Sequence, residues 1–373
     1  MPETLTQADT RTQDFLPLDG IDHLEFYVGN AYQAAHYYRL MFGFDITGYR
    51  GLETGDKEKA SYVLEQGNIR FILTTALTPD HEVARHCQLH GDGVKAIAFK
   101  VKDVDASIAA VKKRGATVEQ APTSLEDEHG KFRVATIRNY GDTIFRFVDR
   151  EGYGKGFAPG FIKKETPASR SAGLAAVDHI VGNVELGAME YWANFYKKTL
   201  GFEQLAHFTD DDISTEYSAL MSKVMQNGTG KIKFPINEPA EGKKKSQIEE
   251  YLDFYVGPGV QHVAMNTKDI CETVRTLRSN GVRFLRVPDT YYETLADRVG
   301  KIDEDFSVLQ ELGILVDRDE DGYLLQVFTQ PLEDRPTLFF EIIERHGSRG
   351  FGVGNFKALF VSIEEEQKRR GTL

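Results

Sequence analysis

Three side chains in the second half of the chain are of metal-binding types and stand where polar residues are out of place. His179 lies in Val177-Asp-His-Ile-Val181, His262 in Val260-Gln-His-Val-Ala264, and Glu341 in Leu338-Phe-Phe-Glu-Ile-Ile343. Each segment reads as a strand, short and rich in β-branched and aromatic residues. In the last, period-two alternation puts Phe339, Glu341 and Ile343 on one face. A carboxylate in so apolar a strand is destabilising unless a cation or hydrogen bonds compensate it. Two neutral imidazoles and one carboxylate, each from its own strand, fit a 2-His-1-carboxylate facial set. Such a set leaves three adjacent coordination positions open and is the ligand type of non-haem Fe(II) oxygenases. A structural alternative stands beside it: strand histidines are commonly satisfied core residues, and Glu341 could pair with Arg345 or Arg349.

Laying the chain against itself supplies an internal control. Gly20-Ile-Asp-His23-Leu recurs as Ala176-Val-Asp-His179-Ile, and Gly93-Val-Lys-Ala96-Ile-Ala-Phe as Gly259-Val-Gln-His262-Val-Ala-Met. Thr143-Ile-Phe-Arg146-Phe-Val-Asp-Arg150 matches Thr337-Leu-Phe-Phe-Glu341-Ile-Ile-Glu-Arg345 with a one-residue slip. The counterparts of His179, His262 and Glu341 are therefore His23, Ala96 and Arg146, and the first half lacks the set. The chain reads as a duplicated domain, its seam in the Pro-, Gly-, Lys- and Ser-rich stretch 159–172. That divides it into 1–160, without a metal site, and 161–373, with one.

Each half is again double. A strand over 24–28 leads to a helix over 31–41 that stops at Gly43, then to strands including 61–64 and 69–73. The same βαβββ order restarts near Val94, Val177 and Val260. Four such modules predict an α+β protein with two curved, mixed sheets. The last module carries an insertion read as two helices, 291–299 and 304–312, before strands at 314–316 and 323–328. An amphipathic helix over 355–369 closes the chain, with Phe356, Leu359, Phe360 and Ile363 on one face. Gly350, Gly352 and Gly354 precede it and suggest a hinge.

Composition narrows the setting. The 373 residues suffice for two domains, and 41% hydrophobic with 27% charged residues is a globular balance. A net charge of −12 repels phosphate backbones and excludes a general nucleic-acid binder. Two cysteines, Cys87 and Cys271, are too few for a disulfide framework or a thiolate metal site and fit a reducing cytoplasm. The polar start, Met1 to Asp14, predicts no signal peptide. No run approaches the ~18 apolar residues of a membrane span. The expectation is a soluble, cytoplasmic protein with no membrane partner.

The second half also carries longer signatures: Phe234-Pro-Ile-Asn-Glu-Pro239, Gly257-Pro-Gly-Val-Gln-His-Val-Ala264, Asp321-Gly-Tyr-Leu-Leu-Gln-Val-Phe-Thr329 and Gly350-Phe-Gly-Val-Gly-Asn-Phe-Lys-Ala-Leu-Phe360. With Val177-Asp-His-Ile and Leu338-Phe-Phe-Glu-Ile-Ile-Glu-Arg345, they resemble the 4-hydroxyphenylpyruvate dioxygenase family of the vicinal-oxygen-chelate superfamily. The resemblance spans nearly the whole second half, and the first-half repeat fits that family's silent domain. It implies one Fe(II) per chain on His179, His262 and Glu341, with O2 as co-substrate. It further implies catalytic roles for Gln247, Gln261, Gln326, Asn237 and Ser222. Phe328 and Phe356 would flank the substrate ring, with Phe339, Phe351 and Asn355 close by. For Gln247, in the charged run Lys243-Lys-Lys-Ser-Gln, the residues alone suggest an exposed loop. The implied reaction takes 4-hydroxyphenylpyruvate and O2 to homogentisate and CO2, by oxidative decarboxylation, ring hydroxylation and side-chain migration, in tyrosine and phenylalanine breakdown. A homo-oligomer, dimer or tetramer, is expected. Alternatives are a 4-hydroxymandelate synthase, a glyoxalase-like metal-dependent isomerase and a non-catalytic binding protein on the same fold.

Overall fold

A computed structural model describes residues 14–209, 217–240 and 242–373. The polar start of the chain, apart from Asp14, lies outside the described residues. The first module is β1 (Ile21–Tyr27), α1 (Ala31–Phe42), β2 (Asp45–Arg50), β3 (Lys59–Gln66) and β4 (Ile69–Ala76). A linking helix α2 (Glu82–His90) leads to the second: β5 (Gly93–Lys100), α3 (Val104–Lys113), β6 (Val118–Asp127), β7 (Gly130–Arg138) and β8 (Ile144–Asp149). A short strand β9 (Ile162–Lys163) pairs with β2 at the edge of this sheet.

The third module is β10 (Leu174–Asn183), α4 (Met189–Phe195), β11 (Glu203–Phe208), β12 (Ala219–Gln226) and β13 (Lys233–Ala240). A second linking helix, α5 (Gln247–Tyr255), precedes β14 (Gly259–Thr267) and α6 (Ile270–Ser279). The insertion forms three short helices rather than two: α7 (Thr290–Glu293), α8 (Leu295–Val299) and α9 (Phe306–Leu312). Then come β15 (Leu315–Arg318), β16 (Tyr323–Phe328), β17 (Phe339–His346) and α10 (Phe356–Arg370).

Local chemistry explains the repeat. Asp103 and Asp269, the second residues of the repeated Lys-Asp pairs, cap α3 and α6 by accepting from Ala106 and Glu272 N–H groups. Gly43 ends α1 in the left-handed conformation, at φ 77°. The sheets run β6-β7-β8-β5-β1-β4-β3-β2-β9 and β11-β12-β13-β10-β14-β17-β16-β15. In each, the paired modules meet at an antiparallel seam, β1 on β5 and β10 on β14, flanked by parallel pairs. The one-residue slip falls before the last strands, not within them. Ala98 faces Arg146 just as Ala264 faces Glu341.

Alternation on β17 divides its duties. Phe340 and Ile342 enter the main core, where the Phe340 ring meets Phe42 and Phe71 of the first half at 5.2 and 5.8 Å. Phe339 and Glu341 turn the other way, into a cavity enclosed by the second sheet.

Candidate metal centre and its pocket

Strand register brings the three polar intruders together. His179 on β10 lies opposite Ala264 on β14, and Ala264 lies opposite Glu341 on β17. His262 is two residues along β14 from Ala264 and shares its face. Glu341 Oε2 is 3.2 Å from His179 Nε2 and 3.4 Å from His262 Nε2. All three side chains are buried. Arg345 does not pair with Glu341, contrary to the structural alternative. It forks onto Asp178, with Nε and Nη2 each 2.8 Å from a carboxylate oxygen.

The tautomers follow from the remaining contacts. His179 Nδ1 is 2.8 Å from Asp178 Oδ1, an acceptor, so this nitrogen carries the hydrogen. His262 Nδ1 likewise faces Gln261 Oε1 at 3.0 Å. Each neutral ring then points an Nε2 lone pair at the Glu341 carboxylate. Three acceptor atoms converging in a buried place need a cation between them, and the donor set suits a divalent metal. Gln326 Nε2 donates to the other Glu341 oxygen at 3.1 Å, Gln326 Oε1 accepts from Asn355 Nδ2 at 2.8 Å, and Asn355 Oδ1 accepts from the Tyr291 hydroxyl at 2.6 Å. This chain fixes the carboxylate plane.

The electrostatics show the same demand for positive charge beside Glu341. Burial would raise the Glu341 carboxyl, but the two facing imidazoles outweigh it and hold it at about 2. Burial opposes a low value at Asp178 too, yet Arg345 and His179 hold it well below the usual carboxylate range. Burial pushes His262 down, whereas at His179 the Glu341 and Asp178 carboxylates overcome burial and push it up.

Two β-bulges aim these groups. Between Val177 and His179, β10 has one residue more than its partner, and the extra residue is Asp178. Between Val260 and His262 the extra residue is Gln261, on β14. A bulge breaks alternation and turns consecutive side chains to one side, so each histidine is held by its own chain neighbour.

The cavity is lined by every site residue expected from the sequence: His179, His262 and Glu341, the polar Ser222, Asn237, Gln247, Gln261, Gln326 and Asn355, and Phe328, Phe339, Phe351 and Phe356. Gln247 is not in a loop. It opens α5, whose N-cap Ser246 and residue Glu249 form a reciprocal capping box. Phe339 stacks on the His262 ring at 4.7 Å, and Phe351 meets His179 edge-on at 5.1 Å. The helix α10 forms the lid: Phe356, Leu359 and Phe360 line the cavity, whereas Ile363 packs with Leu285, Leu315, Phe328 and Phe339. The three glycines before it are tethered rather than loose. Gly350 and Gly354 N–H groups donate to Asp319 and Asp317, and Gly352, at φ 76°, packs where a β-carbon would overlap the Gln326 amide.

The residues alone did not single out Asp178, Tyr291, Phe208 or Leu220. Asp178 carried a signal, since Asp precedes His at both Asp22-His23 and Asp178-His179. Phe208 and Leu220 carried none beyond being apolar strand residues.

Fold and site define a metal-binding member of a known superfamily. The pattern of the "Glyoxalase/Bleomycin resistance protein/Dioxygenase superfamily" matches residues 20–153 and 176–327, one copy per half. Three curated relatives are named 4-hydroxyphenylpyruvate dioxygenase. That of Coccidioides posadasii is 47% identical, over 99% of this chain and 98% of its own. That of Tetrahymena thermophila is 48% identical, over 95% and 91%, and that of Danio rerio 47%, over 94% and 91%. The solved structure of a triple mutant of 4-hydroxymandelate synthase from Streptomyces coelicolor superposes with a TM-score of 0.84. It is 32% identical and covers 94% of this chain and 100% of its own. The chain belongs to the 4-hydroxyphenylpyruvate dioxygenase family. Among the described residues no helix is long and apolar enough to cross a membrane.

Proposed function

We propose that this chain converts 4-hydroxyphenylpyruvate and O2 to homogentisate and CO2, using one Fe(II) held by His179, His262 and Glu341 in the unit 161–373. The observation that carries the reading is a cavity in which the clustered ligand atoms of His179, His262 and Glu341 adjoin amides and aromatic faces. Bound Fe(II) supplies Lewis acidity and the activation of O2. The chain's own residues do the rest. Asp178 and Gln261 keep the two Nε2 lone pairs free, and Gln326 holds the carboxylate. Two neutral imidazoles and one carboxylate leave a divalent ion with net positive charge, which attracts an anionic 2-oxo acid. Phe328, Phe339 and Phe356 offer ring faces and exclude water, while Ser222, Asn237 and Gln247 offer hydrogen bonds to a buried phenol.

The test is product analysis with iron-loaded protein, 4-hydroxyphenylpyruvate and air. Homogentisate with equimolar CO2 supports the proposal. A second reading, favoured by the fold match to 4-hydroxymandelate synthase, gives 4-hydroxymandelate, and turnover without O2 uptake points to an isomerase. The free thiols Cys87 and Cys271 and the acidic surface support a cytoplasmic location. The family reading extends to a dimer or tetramer, which light scattering checks.

A further inference from the structure

A second set of metal-type side chains lies away from the cavity. His86 and His90 are one turn apart on α2, and Asp142 lies in the connection between β7 and β8. One ligand atom from each falls within 4.8 Å of the others. Asp142 Oδ2 is 3.2 Å from His90 Nε2 and 3.8 Å from His86 Nδ1. Two ligands bound at about 2.1 Å to one ion are at most about 4.2 Å apart, so both separations are compatible with a shared metal.

Protons do not account for this arrangement. His90 Nδ1 meets the Tyr255 carbonyl oxygen, which only accepts, so the hydrogen of a neutral ring sits there. The Nε2 lone pair is then turned on a carboxylate that also only accepts. His86 is 4% exposed, and neither of its ring nitrogens has a hydrogen-bond partner. Burial pushes its imidazole down, keeping it neutral. Protonating His90 would satisfy one contact and leave His86 orphaned. A cation between the three takes up Asp142 Oδ2 and the lone pairs of His90 Nε2 and His86 Nδ1, leaving only the His86 Nε2 hydrogen without an acceptor. By contrast, the cluster Glu304, Glu344 and His346 offers one imidazole rather than two, and its Nε2 already meets both carboxylates, at 2.9 and 3.2 Å.

We propose that His86, His90 and Asp142 form a second divalent-metal site, of the Zn2+ type, separate from the triad. Two imidazoles and one carboxylate leave a fourth position for water. Asp142 is half-exposed and gives entry from solvent. The Tyr255 carbonyl fixes the His90 ring, as outer partners of metal-bound histidines do. Tyr255 belongs to α5 of the second half and stacks on His90 at 4.4 Å, so the ion would stiffen the contact between the halves.

The test uses full-length protein carrying His179→Ala and Glu341→Ala, which removes the triad, titrated with Co2+ and with Zn2+. The expected result is one ion per chain, with the visible absorption of four-coordinate Co2+ displaced by Zn2+. Asp142→Asn, at a half-exposed position that tolerates change, and His86→Gln should each weaken binding roughly tenfold or more. In the triad-intact protein, Asp142→Asn should leave the triad metal in place. No binding by the triad-less protein, or binding undiminished by these substitutions, overturns the proposal. So does a nitrogen NMR signature of doubly protonated His90 in Zn2+-saturated protein.

Discussion

Arg146 donates to His23 Nε2 at 3.1 Å, in the place in the first sheet where Glu341 faces His179 Nε2 at 3.2 Å in the second. The frame around both pairs is the same. Asp22 accepts from Arg150 and meets His23, as Asp178 accepts from Arg345 and meets His179. A guanidinium in place of a carboxylate puts a fixed positive charge where a metal would sit. His23→Ala should therefore leave metal content unchanged, whereas His179→Ala, His262→Ala and Glu341→Ala should each abolish triad metal and turnover together. Metal analysis of each variant checks this.

Arg146 also pairs with Glu25 at 2.7 Å. Burial would raise the Glu25 carboxyl, but Arg146 leads the groups that hold it at about 2. A folded value below the unfolded one stabilises the fold above pH ~4 and is lost as pH falls toward 2. Arg146→Met strands a buried carboxylate and should cost about 3 kcal/mol at pH 7. Without its partner, only Lys59 and the Thr74 hydroxyl oppose burial at Glu25 and its value rises, so the deficit should shrink as pH falls from 7 to 5. Urea unfolding at both pH values measures it. A constant deficit would assign the loss to packing.

Ala264 stands between His179 and Glu341 in the strand register and is fully buried. Its methyl group leaves the space that an ion needs. Ala264→Leu should weaken triad metal binding by roughly tenfold or more and cost about 1–3 kcal/mol through overpacking. Ala264→Gly should keep the metal. Calorimetric titration of both variants compares them.

The Phe356 ring meets Phe208 edge-on at 5.1 Å and lines the cavity while half-buried. Phe356→Ala should therefore weaken substrate binding and let decarboxylation proceed without ring hydroxylation, giving 4-hydroxyphenylacetate. Triad metal content should not change. Chromatography of the products reads the ratio. A marked fall in melting temperature with an unchanged ratio would make Phe356 a core residue only.

The module order and the ligand-type residues were legible because duplication exposes them: a strand motif repeated with His in one copy and Ala in the other needs no structure to stand out. What stayed hidden depends on backbone detail. Alternation puts Gln261 and His262 on opposite faces, and only the bulge on β14 brings both to one side. Gln247 sits in a lysine-rich run whose composition says solvent, yet the capping box at Ser246 starts a helix there and turns it to the cavity. The linking helices α2 and α5, short and lying between modules, left no repeat signature strong enough to read. The glycines before α10 suggested freedom, but their amides are tied to Asp317 and Asp319, contacts that no local pattern encodes.

The bulges at Asp22 and Lys95 stand at the places in the first sheet that Asp178 and Gln261 occupy in the second. Each couples a residue to its immediate chain neighbour, so the orientation of each imidazole in the second half is written into a dipeptide, Asp178-His179 or Gln261-His262. The first half carries one such unit, Asp22-His23, but has Lys95-Ala96 at the place of Gln261-His262, so the bulges are common to both halves while the second holder and its ring are not. Such a unit is brittle in one direction. Removing a single residue, Asp178 or Gln261, would restore regular alternation and take away the group that fixes the neighbouring imidazole, so the loss of one side chain would erase the geometry of the site.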